Sequence, residues 1–529
     1  MNVAEEIGRV GLPAPIAELA GRDWDAIIVG GGHNGLTTAA YLARAGRSVL
    51  LLERRDRLGG ACTLERPFSD QRYLVSPCAY VVGLLDQLVI SELGLERQGY
   101  RVFAADPNSW SPLPDGTSYA SYLDPEDTVA HLRANGFSEA DIEGRIAYEA
   151  TFERCRQALR HGPAGDTWVG SSPSREQIEE ILGNDPELVS IVFEESIAET
   201  IGRYMDDERL HHALFGQGII GAYAGPRDPG TASIKLMHHQ GELLGHGSFW
   251  GYVEGGMGRV SFAIAQAAIE AGAQLAAGVT VAEIVPGEGV RLESGELIRS
   301  RAVISNAEPK RTVSLIEAGQ VPAGLAARAA GWKTRSPVVK LNAALDRIPT
   351  FTAAADGFRP ELSMISITPG LDAAQRAFEA CERGEAEIGY AELYFQTAYD
   401  PAVAPEGKHV MSVFAQYAPY QLAEGDWESR RDAIGGQILD AIAVYAPDAL
   451  DCVDEFEVLG PPDIEERIGL TDGHIFQGEA MPDQMWDRRF DHRTEIPDLY
   501  FCGAATHPAG SVIALNGRNA AMAVLKDLG

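Results

Sequence analysis

Near its start the chain carries a glycine-rich turn between a short apolar segment and a helical one, and this unit narrows the possible folds. Residues 25–46 read DAIIVGGGHNGLTTAAYLARAG, in which the opening residues are typical of a buried strand and the closing ones have helical spacing. Gly30 permits a tight turn, Gly32 lets the backbone approach a pyrophosphate, and Gly35 lets the helix pack close to the strand. The sequence therefore predicts a dinucleotide-binding unit whose helix N-terminus faces the phosphates.

A second apolar strand ends at an acidic residue. Residues 48–52 read SVLLL and precede Glu53, which lies about 20 residues beyond Gly30, the separation expected of the carboxylate that binds a ribose hydroxyl. Strand, turn, helix, second strand and terminal acid agree with one another, which favours dinucleotide binding over a purely structural turn. The motif alone does not distinguish NAD from FAD.

Length and charge limit the remaining possibilities. The 529 residues correspond to about three to four average domains, or to two large interleaved ones. With 45% hydrophobic and 23% charged residues, the chain is typical of a folded globular protein rather than a disordered or fibrous one. The net charge of −32 repels phosphate backbones and anionic membrane surfaces, so we expect no nucleic-acid partner.

Several classes of segment and site have no signature in the sequence. The first residues lack a basic start followed by an apolar core, and no run reaches the ~20 apolar residues of a spanning helix, so we expect a cytoplasmic location without a transmembrane segment. The six cysteines form no CxxC pair, and neither HExxH nor clustered Cys/His spacing occurs. We therefore expect free thiols and no metal. A GxSxG elbow for acyl-enzyme chemistry is also missing.

Two later segments have the same alternation of helix and strand. Residues 258–271 have the apolar spacing of a helix, and strands with intervening turns are predicted between 279 and 305. Near the end, residues 499–503 read LYFCG as a buried strand, and the turn ATHPAGS leads into a helix predicted over 512–528. The N-terminus of such a helix would stabilise negative charge that builds on a cofactor ring in front of it.

The residues that follow the acid resemble one clan of FAD enzymes. The string ERRDRLGG at 53–60 is similar to the acid, Arg and Gly-Gly string of the large clan that includes amine oxidases and phytoene desaturases. Strings such as WGYVEGGMGRVSFAIA, TRSPVVKLNAALDRIPTF and YFCGAATHPAGSVIALNGRNAA resemble its phytoene desaturase-like branch, which contains the pyridine nucleotide-disulphide oxidoreductase domain-containing protein. The resemblance spans about residues 25–528.

This resemblance implies an α/β fold of the amine oxidase or phytoene desaturase type, with a Rossmann-like FAD-binding domain and an inserted mixed α+β substrate domain. The implied FAD-binding domain comprises residues 22–130, 250–310 and 455–529. The implied substrate domain comprises residues 131–249 and 311–454. In the inserted parts and at their borders, the spacing predicts helices near 124–135, 174–182 and 427–445, and strands at 338–345 and 409–416.

The resemblance also implies which residues hold FAD. The candidate cofactor-binding residues are Gly30, Gly32, His33, Asn34, Gly35, Glu53, Arg54, Arg55, Gly59, Gly60, Ala61, Val281, Gly503, Ala504, Ser511 and Val512. Arg55 is a candidate contact to ribose or phosphate, and Val281 would hold the adenine edge through its backbone. Two positions depart from the clan, since Ala61 stands where many members carry Arg, and Ala504 where many carry an acid for the ribityl chain.

Polar residues near these segments are candidates for proton transfer. His507 and Tyr80 are the first candidates because they flank the expected flavin ring. Further candidates, each with an ordinary packing or capping role as the alternative, are His33, His238, His239, Trp250 and Tyr252. Covalent attachment of the flavin through Cys78, Cys502 or a histidine is also open.

The resemblance leads us to expect an FAD-dependent dehydrogenase, desaturase or oxidase. It would take a hydride from an apolar or amine-bearing small molecule to flavin N5 and pass electrons to oxygen or a quinone. Because the clan contains carotenoid isomerases, a redox-neutral polyene cis–trans isomerase using reduced FAD is one alternative. A non-enzymatic binding protein of the GDP-dissociation-inhibitor type is another, although the intact glycine and acid set argues against it. Disulphide reduction is not supported, because no paired cysteines follow the Gly-Gly string.

Overall fold

The glycine-rich turn lies at the edge of the first of two large β-sheets. In the computed structural model, which describes residue 3 and residues 7–529, this sheet has seven strands. In order across the sheet, the strands are Val281–Val285, Gly289–Leu292, Leu297–Ser305, Trp24–Val29, Val49–Glu53 and Gln274–Ala277, with Leu499–Phe501 paired to Leu297–Ser305. The central pairs are parallel, so the carboxyl ends of their strands meet at one edge, where ligands bind in open α/β sheets.

Apolar side chains bury both faces of this first sheet. Every residue of Val49–Glu53 is buried, which is typical of a parallel strand covered on both sides. One face packs against the helices His33–Arg44, Gly258–Glu270 and Leu515–Leu528. On the opposite face, Trp332 and its apolar neighbours cover the sheet. The two layers hold the glycine-rich turn in a fixed position at the sheet edge.

The second sheet also has seven strands and is mainly antiparallel. In order across the sheet, its strands are Val453–Leu459, Val338–Leu345, His409–Gln416, Tyr390–Tyr394, Met364–Ile367, Ser109–Pro112 and Ser118–Ser121. Alternate residues of Val338–Leu345 pack on the helix Trp427–Ala443, while the others face a helical layer formed largely by residues 125–238. This second face provides one wall of the cavity described below.

Further helices and two short hairpin-like pairs complete the molecule. The other helices are Ile16–Ala20, Gln87–Leu93, Pro125–Ala134, Glu139–His161, Arg175–Ile181, Pro186–Phe193, Ile197–Tyr204, Glu208–Leu214, Ala232–His238, Pro309–Ser314, Ala323–Ala330, Leu371–Glu382, Ala449–Cys452 and Pro461–Ile468. The short strands are Val102–Ala104 with Gly251–Val253, and Glu242–Leu243 with His246–Gly247. Within residue 3 and residues 7–529, no helix is both long enough and apolar enough to cross a membrane.

The strands predicted at 338–345 and 409–416 are confirmed at their full lengths. The helix predicted at 258–271 is confirmed to within one residue. The last helix begins at Leu515 rather than 512 because Ser511 and Ala514 both have positive φ, which is incompatible with a right-handed helix.

Strand pairing bears on the proposed division of the chain. Ser109–Pro112 and Ser118–Ser121, which the resemblance assigned to the FAD-binding domain, are hydrogen-bonded into the second sheet. Val453–Leu459 belongs to that sheet along its whole length, across the expected boundary at 454. We therefore propose that the substrate domain includes these three strands.

Candidate active site

A cavity of about 330 Å³ lies between the two sheets. Its walls come from the carboxyl ends of the parallel strands on one side and from the second sheet and the helix Ala232–His238 on the other. The predicted cofactor residues that line it are Gly30, Gly32, His33, Asn34, Glu53, Arg54, Gly59, Gly60, Ala61, Val281, Ala504, Ser511 and Val512. Segments far apart in the sequence therefore meet around one space.

The glycine-rich turn forms a cradle with no room for side chains. A Cβ atom on Gly32 would lie 2.7 Å from Asn306 Nδ2, and one on Gly60 would lie 3.2 Å from the Cα of Gly32. Gly30 has φ +101°, a conformation that side chains rarely adopt. Gly32 and Gly59 are bridged, so the two glycine strings form one continuous backbone surface.

The helix that follows the cradle has an open N-terminus. No side chain caps His33–Arg44, and the buried atoms His33 Nε2 and Asn34 Oδ1 have no hydrogen-bond partner among the described residues. Burial lowers the pKa of His33 to about 4, so its ring is neutral near pH 7. Free amides at a helix N-terminus beside a bare glycine backbone suit a pyrophosphate, so the residues present fit FAD.

Glu53 lies at the end of its strand with both carboxylate oxygens engaged by backbone. Oε2 accepts a hydrogen bond from the Gly31 amide at 2.7 Å, and Oε1 accepts one from the Arg55 amide at 2.8 Å. These bonds fix the orientation of the carboxylate beside the cavity that it lines. Each oxygen keeps a lone pair with which it can accept a hydroxyl proton of a ribose.

Glu53→Gln tests the ribose contact. The amide keeps the shape but loses a charge-assisted acceptor worth about 1.5–3 kcal/mol, so we expect FAD affinity to fall about tenfold or more. Fluorescence titration of the apoprotein with FAD measures the dissociation constant. Glu288→Gln, at an exposed position away from the cavity, serves as the control. A dissociation constant equal to that of wild type would place Glu53 outside the ribose site.

Three predicted cofactor residues do not line the cavity. The Arg55 side chain forms an ion pair with Glu65, which directs it away from the predicted ribose or phosphate contact. A Cβ on Gly35 would overlap the Gly30 carbonyl oxygen, in agreement with its predicted packing role. A Cβ on Gly503 would overlap the Gln477 side chain, so this glycine also permits close packing.

Sequence reasoning missed several polar residues of the cavity wall. Asn306 follows the strand Leu297–Ser305 directly, and its amide hydrogen-bonds to the Val29 carbonyl at 2.9 Å. Arg311 lies farther along the same crossing and brings a second guanidinium to the wall beside Arg54. The position of Asn306 just beyond a parallel strand was a signal that could have identified it.

Across the cavity, one row of side chains runs over four strands of the second sheet. Lys340 pairs in register with Phe414, Phe414 with Glu392, and Glu392 with Ser366. All four line the cavity. Because side chains alternate along a strand, residues in register on neighbouring strands share a face.

Lys340 is a buried amine that lacks a hydrogen-bond partner within the described residues. Its side chain is 2% exposed, and Nζ lies 3.8 Å from the centre of the Tyr80 ring. Burial lowers its pKa to about 7. An amine that titrates near neutral pH in a cavity is suited to proton transfer.

Glu392 is held by two tyrosines. Tyr390 donates a hydrogen bond to Oε1 at 2.7 Å, and Tyr394 donates one to Oε2. Burial raises the pKa of this carboxyl group. Tyr394 also packs against Tyr80, with ring centres 4.2 Å apart, so Tyr80 is fixed between Lys340 and Tyr394. Tyr80, one of the two predicted catalytic residues, therefore lines the cavity beside the unpartnered amine.

His507, the other predicted catalytic residue, does not line the cavity. It is buried, and Nε2 donates a hydrogen bond to the Thr167 carbonyl at 2.6 Å. Burial lowers its pKa to about 4, so Nδ1 is an acceptor, and the Ser172 hydroxyl lies 3.4 Å from it. With both ring nitrogens engaged outside the cavity, the geometry supports a packing role.

His507→Ala separates the two roles. We expect flavin reduction by substrate to stay within about twofold of wild type, because the ring is outside the cavity. We expect the free energy of unfolding to fall by about 1–3 kcal/mol, because two hydrogen-bonded groups lose their partner. Stopped-flow reduction and thermal melting measure these quantities. A reduction rate ~10²-fold lower with normal melting would restore His507 to the catalytic list.

The remaining candidates divide between the cavity and the core. Trp250 lines the cavity, whereas Tyr252 is fully buried and stacks on Tyr399 with ring centres 5.0 Å apart. Cys78 lines the cavity, but burial raises its pKa to about 12, as it does for Cys502. Thiols with such pKa values stay protonated and are poor nucleophiles, so the structure gives no support to covalent attachment through them.

Comparisons with known sequences identify two families. The model of the flavin-containing amine oxidoreductases matches residues 165–525, and that of NAD(P)-binding Rossmann-like domains matches residues 28–82. A mouse relative, pyridine nucleotide-disulfide oxidoreductase domain-containing protein 2, is 33% identical over 96% of this chain and 94% of its own length. A limonene dehydrogenase polypeptide of Castellaniella defragrans is 26% identical over 96% of this chain and 95% of its own length.

A solved structure shows the same fold. Cyclohexylamine oxidase from Brevibacterium oxydans superposes with a TM-score of 0.55, covering 96% of this chain and 100% of its own, at 16% identity. At that identity the likeness concerns the fold alone. It confirms the expected combination of a Rossmann-like domain with an inserted mixed domain.

Proposed function

The chain belongs to the flavin-containing amine oxidoreductases and is an FAD-dependent oxidoreductase, and we propose that it dehydrogenates an apolar or amine-bearing small molecule and passes the electrons to oxygen or a quinone. The observation that carries this proposal is the unpartnered amine of Lys340 on the cavity wall opposite the glycine cradle. FAD, when bound, supplies a two-electron acceptor for a hydride.

The side chains of the wall account for the rest of the dehydrogenation. A substrate that loses a hydride must also release a proton, and the neutral form of Lys340 can take it. Tyr80 covers the amine and keeps it from bulk water. The hydrogen-bonded trio of Tyr390, Glu392 and Tyr394 fixes the floor on which the substrate would rest.

The remaining wall supports an apolar substrate. Five apolar side chains face the cavity near this row: Val338, Met364, Phe414, Trp250 and Phe476. Burial of apolar ligand surface against them contributes roughly 25 cal/mol per Å². The name of the Castellaniella relative, a limonene dehydrogenase, supports the same class of substrate.

Anaerobic titration tests the function. The purified protein should be yellow, and its flavin absorbance should bleach when a true substrate from a panel of terpenes, polyenes, alcohols and amines is added without an acceptor. Readmission of oxygen, or addition of a soluble quinone, should restore the colour and identify the acceptor. Turnover of a polyene isomer without acceptor would instead indicate an isomerase, and a colourless protein that does not bind FAD would indicate a binding protein.

A further inference from the structure

His238 has a fixed tautomer. It is the last residue of the helix Ala232–His238, and its Nδ1 lies 2.9 Å from the Ile234 carbonyl oxygen. Because a carbonyl can only accept, Nδ1 carries the hydrogen and donates it. Nε2 of the neutral ring therefore has a lone pair and no hydrogen. Burial lowers the pKa of His238 to about 4, so the neutral form prevails near pH 7.

The free nitrogen of His238 belongs to the cavity wall. The ring lines the cavity between Trp250 and Phe476, with centres 5.9 Å and 5.8 Å away. Within the described residues Nε2 has no hydrogen-bond partner, and it is not among the fully buried unpaired atoms, so it keeps accessible surface. Phe476 in turn packs on Gly510, in the segment that carries Ser511. An acceptor thus faces the space next to the cofactor segment.

The charges around this acceptor favour a neutral ligand group. Lys235, one helical turn earlier, is ion-paired with Glu149 at 3.2 Å and hydrogen-bonded to Gln217 at 2.8 Å. The acidic residues that line the cavity, among those described, are Glu53 and Glu392, and their oxygens already accept hydrogen bonds. An ammonium group near His238 would meet a cation and find no free carboxylate.

We propose that His238 is a specificity-determining residue whose Nε2 accepts a hydrogen bond from a hydroxyl group of an otherwise apolar substrate, so that the site prefers alcohols to cationic amines. This inference rests on the proposed function, because it takes the cavity as the substrate site. A neutral hydroxyl satisfies the acceptor without bringing a second charge, and the aromatic rings on either side bury the apolar part.

Binding of three matched probes tests the assignment. Benzyl alcohol, benzyl methyl ether and benzylamine share a ring but differ in the polar group. They are titrated at pH 7 against the FAD-loaded, oxidised protein, and the shift of the flavin absorbance gives each dissociation constant. We expect wild type to bind the alcohol about 3- to 10-fold more tightly than the ether, and the amine no better than the ether.

Variants at the same position complete the design. His238→Phe keeps an aromatic ring without the acceptor, and we expect the alcohol-to-ether ratio to fall to about one. His238→Gln keeps a carbonyl acceptor and should restore part of the preference. His246→Phe, at an exposed position outside the cavity, is the control and should behave as wild type.

The outcomes separate the two proposals. A wild-type protein that does not distinguish alcohol from ether, a preference that survives in His238→Phe, or tighter binding of benzylamine would overturn the role of His238. Because the readout is binding, it needs no turnover. A protein that shows the alcohol preference but whose flavin no compound reduces would refute the proposed dehydrogenase and leave the role of His238 supported.

Discussion

Gly32→Val is expected to purify without FAD. The Cβ of the new side chain would lie 2.7 Å from Asn306 Nδ2, and its methyl groups would fill the cradle that the bare backbone leaves open. The loss should be nearly complete, because the pyrophosphate has no second route to the amides of the helix that begins at His33. The ratio of flavin absorbance to protein absorbance after gel filtration measures the flavin content.

The same substitution should change thermal stability in a diagnostic way. FAD at about 100 times its dissociation constant stabilises wild type by about 2.7 kcal/mol, and the variant should lose this dependence on added FAD. Gly319→Val is the matched control, because a Cβ at that position has no neighbour within 4 Å. If Gly32→Val retains a full complement of flavin, the cradle is not the pyrophosphate site.

Lys340→Met is expected to slow flavin reduction by ~10²-fold or more while FAD stays bound. Methionine keeps the length and apolar stem of the side chain but has no group that can take a proton, and general base catalysis is worth about 10²–10⁴-fold. Single-turnover reduction under anaerobic conditions isolates this step. Lys526→Met, on the exposed face of the last helix, controls for the loss of a positive charge.

The pH dependence gives Lys340→Met a second readout. Burial lowers the pKa of Lys340 from 10.5 to about 7, so the neutral amine forms above pH 7 and the wild-type reduction rate should rise through that pH. Between pH 7 and 10.5 the unfolded chain binds more protons at this residue than the folded one, so this residue makes folding more favourable as pH rises across that window. Both dependences should disappear in Lys340→Met. An unchanged pH profile would show that another group titrates.

Local chemistry made the cofactor half of the site predictable. The turn around Gly32, the acid at the end of the next strand and the helix that follows are all defined within residues 25–53, so no long-range contact is needed to recognise them. Lys340 could not be found in this way. Its strand reads VVKLNAAL, and the cavity at its side exists only because strands from 366, 392 and 414 align with it.

His507 shows the opposite error. Its closeness in sequence to Ser511 and Val512 suggested a place beside the flavin, and those two residues do line the cavity. Between them, however, Ala509 and Ser511 have positive φ, and the chain turns sharply enough to direct His507 toward Thr167 instead. Neighbours in sequence face different directions wherever the backbone leaves the regular regions.

The crossing of the first and last helices of the cofactor domain has a consequence for how the protein is made. Thr38 Oγ1 donates a hydrogen bond to the Gly517 carbonyl at 2.9 Å, a contact that joins residues 479 positions apart. At about 5–20 residues per second, the ribosome needs roughly 25 to 100 s to synthesise the intervening chain. Throughout that time the inner face of the helix His33–Arg44 lacks its final cover. Cofactor capture is thus a late event in biosynthesis, and the nascent N-terminal segment depends on chaperones or on the neighbouring helix Gly258–Glu270 for protection until then.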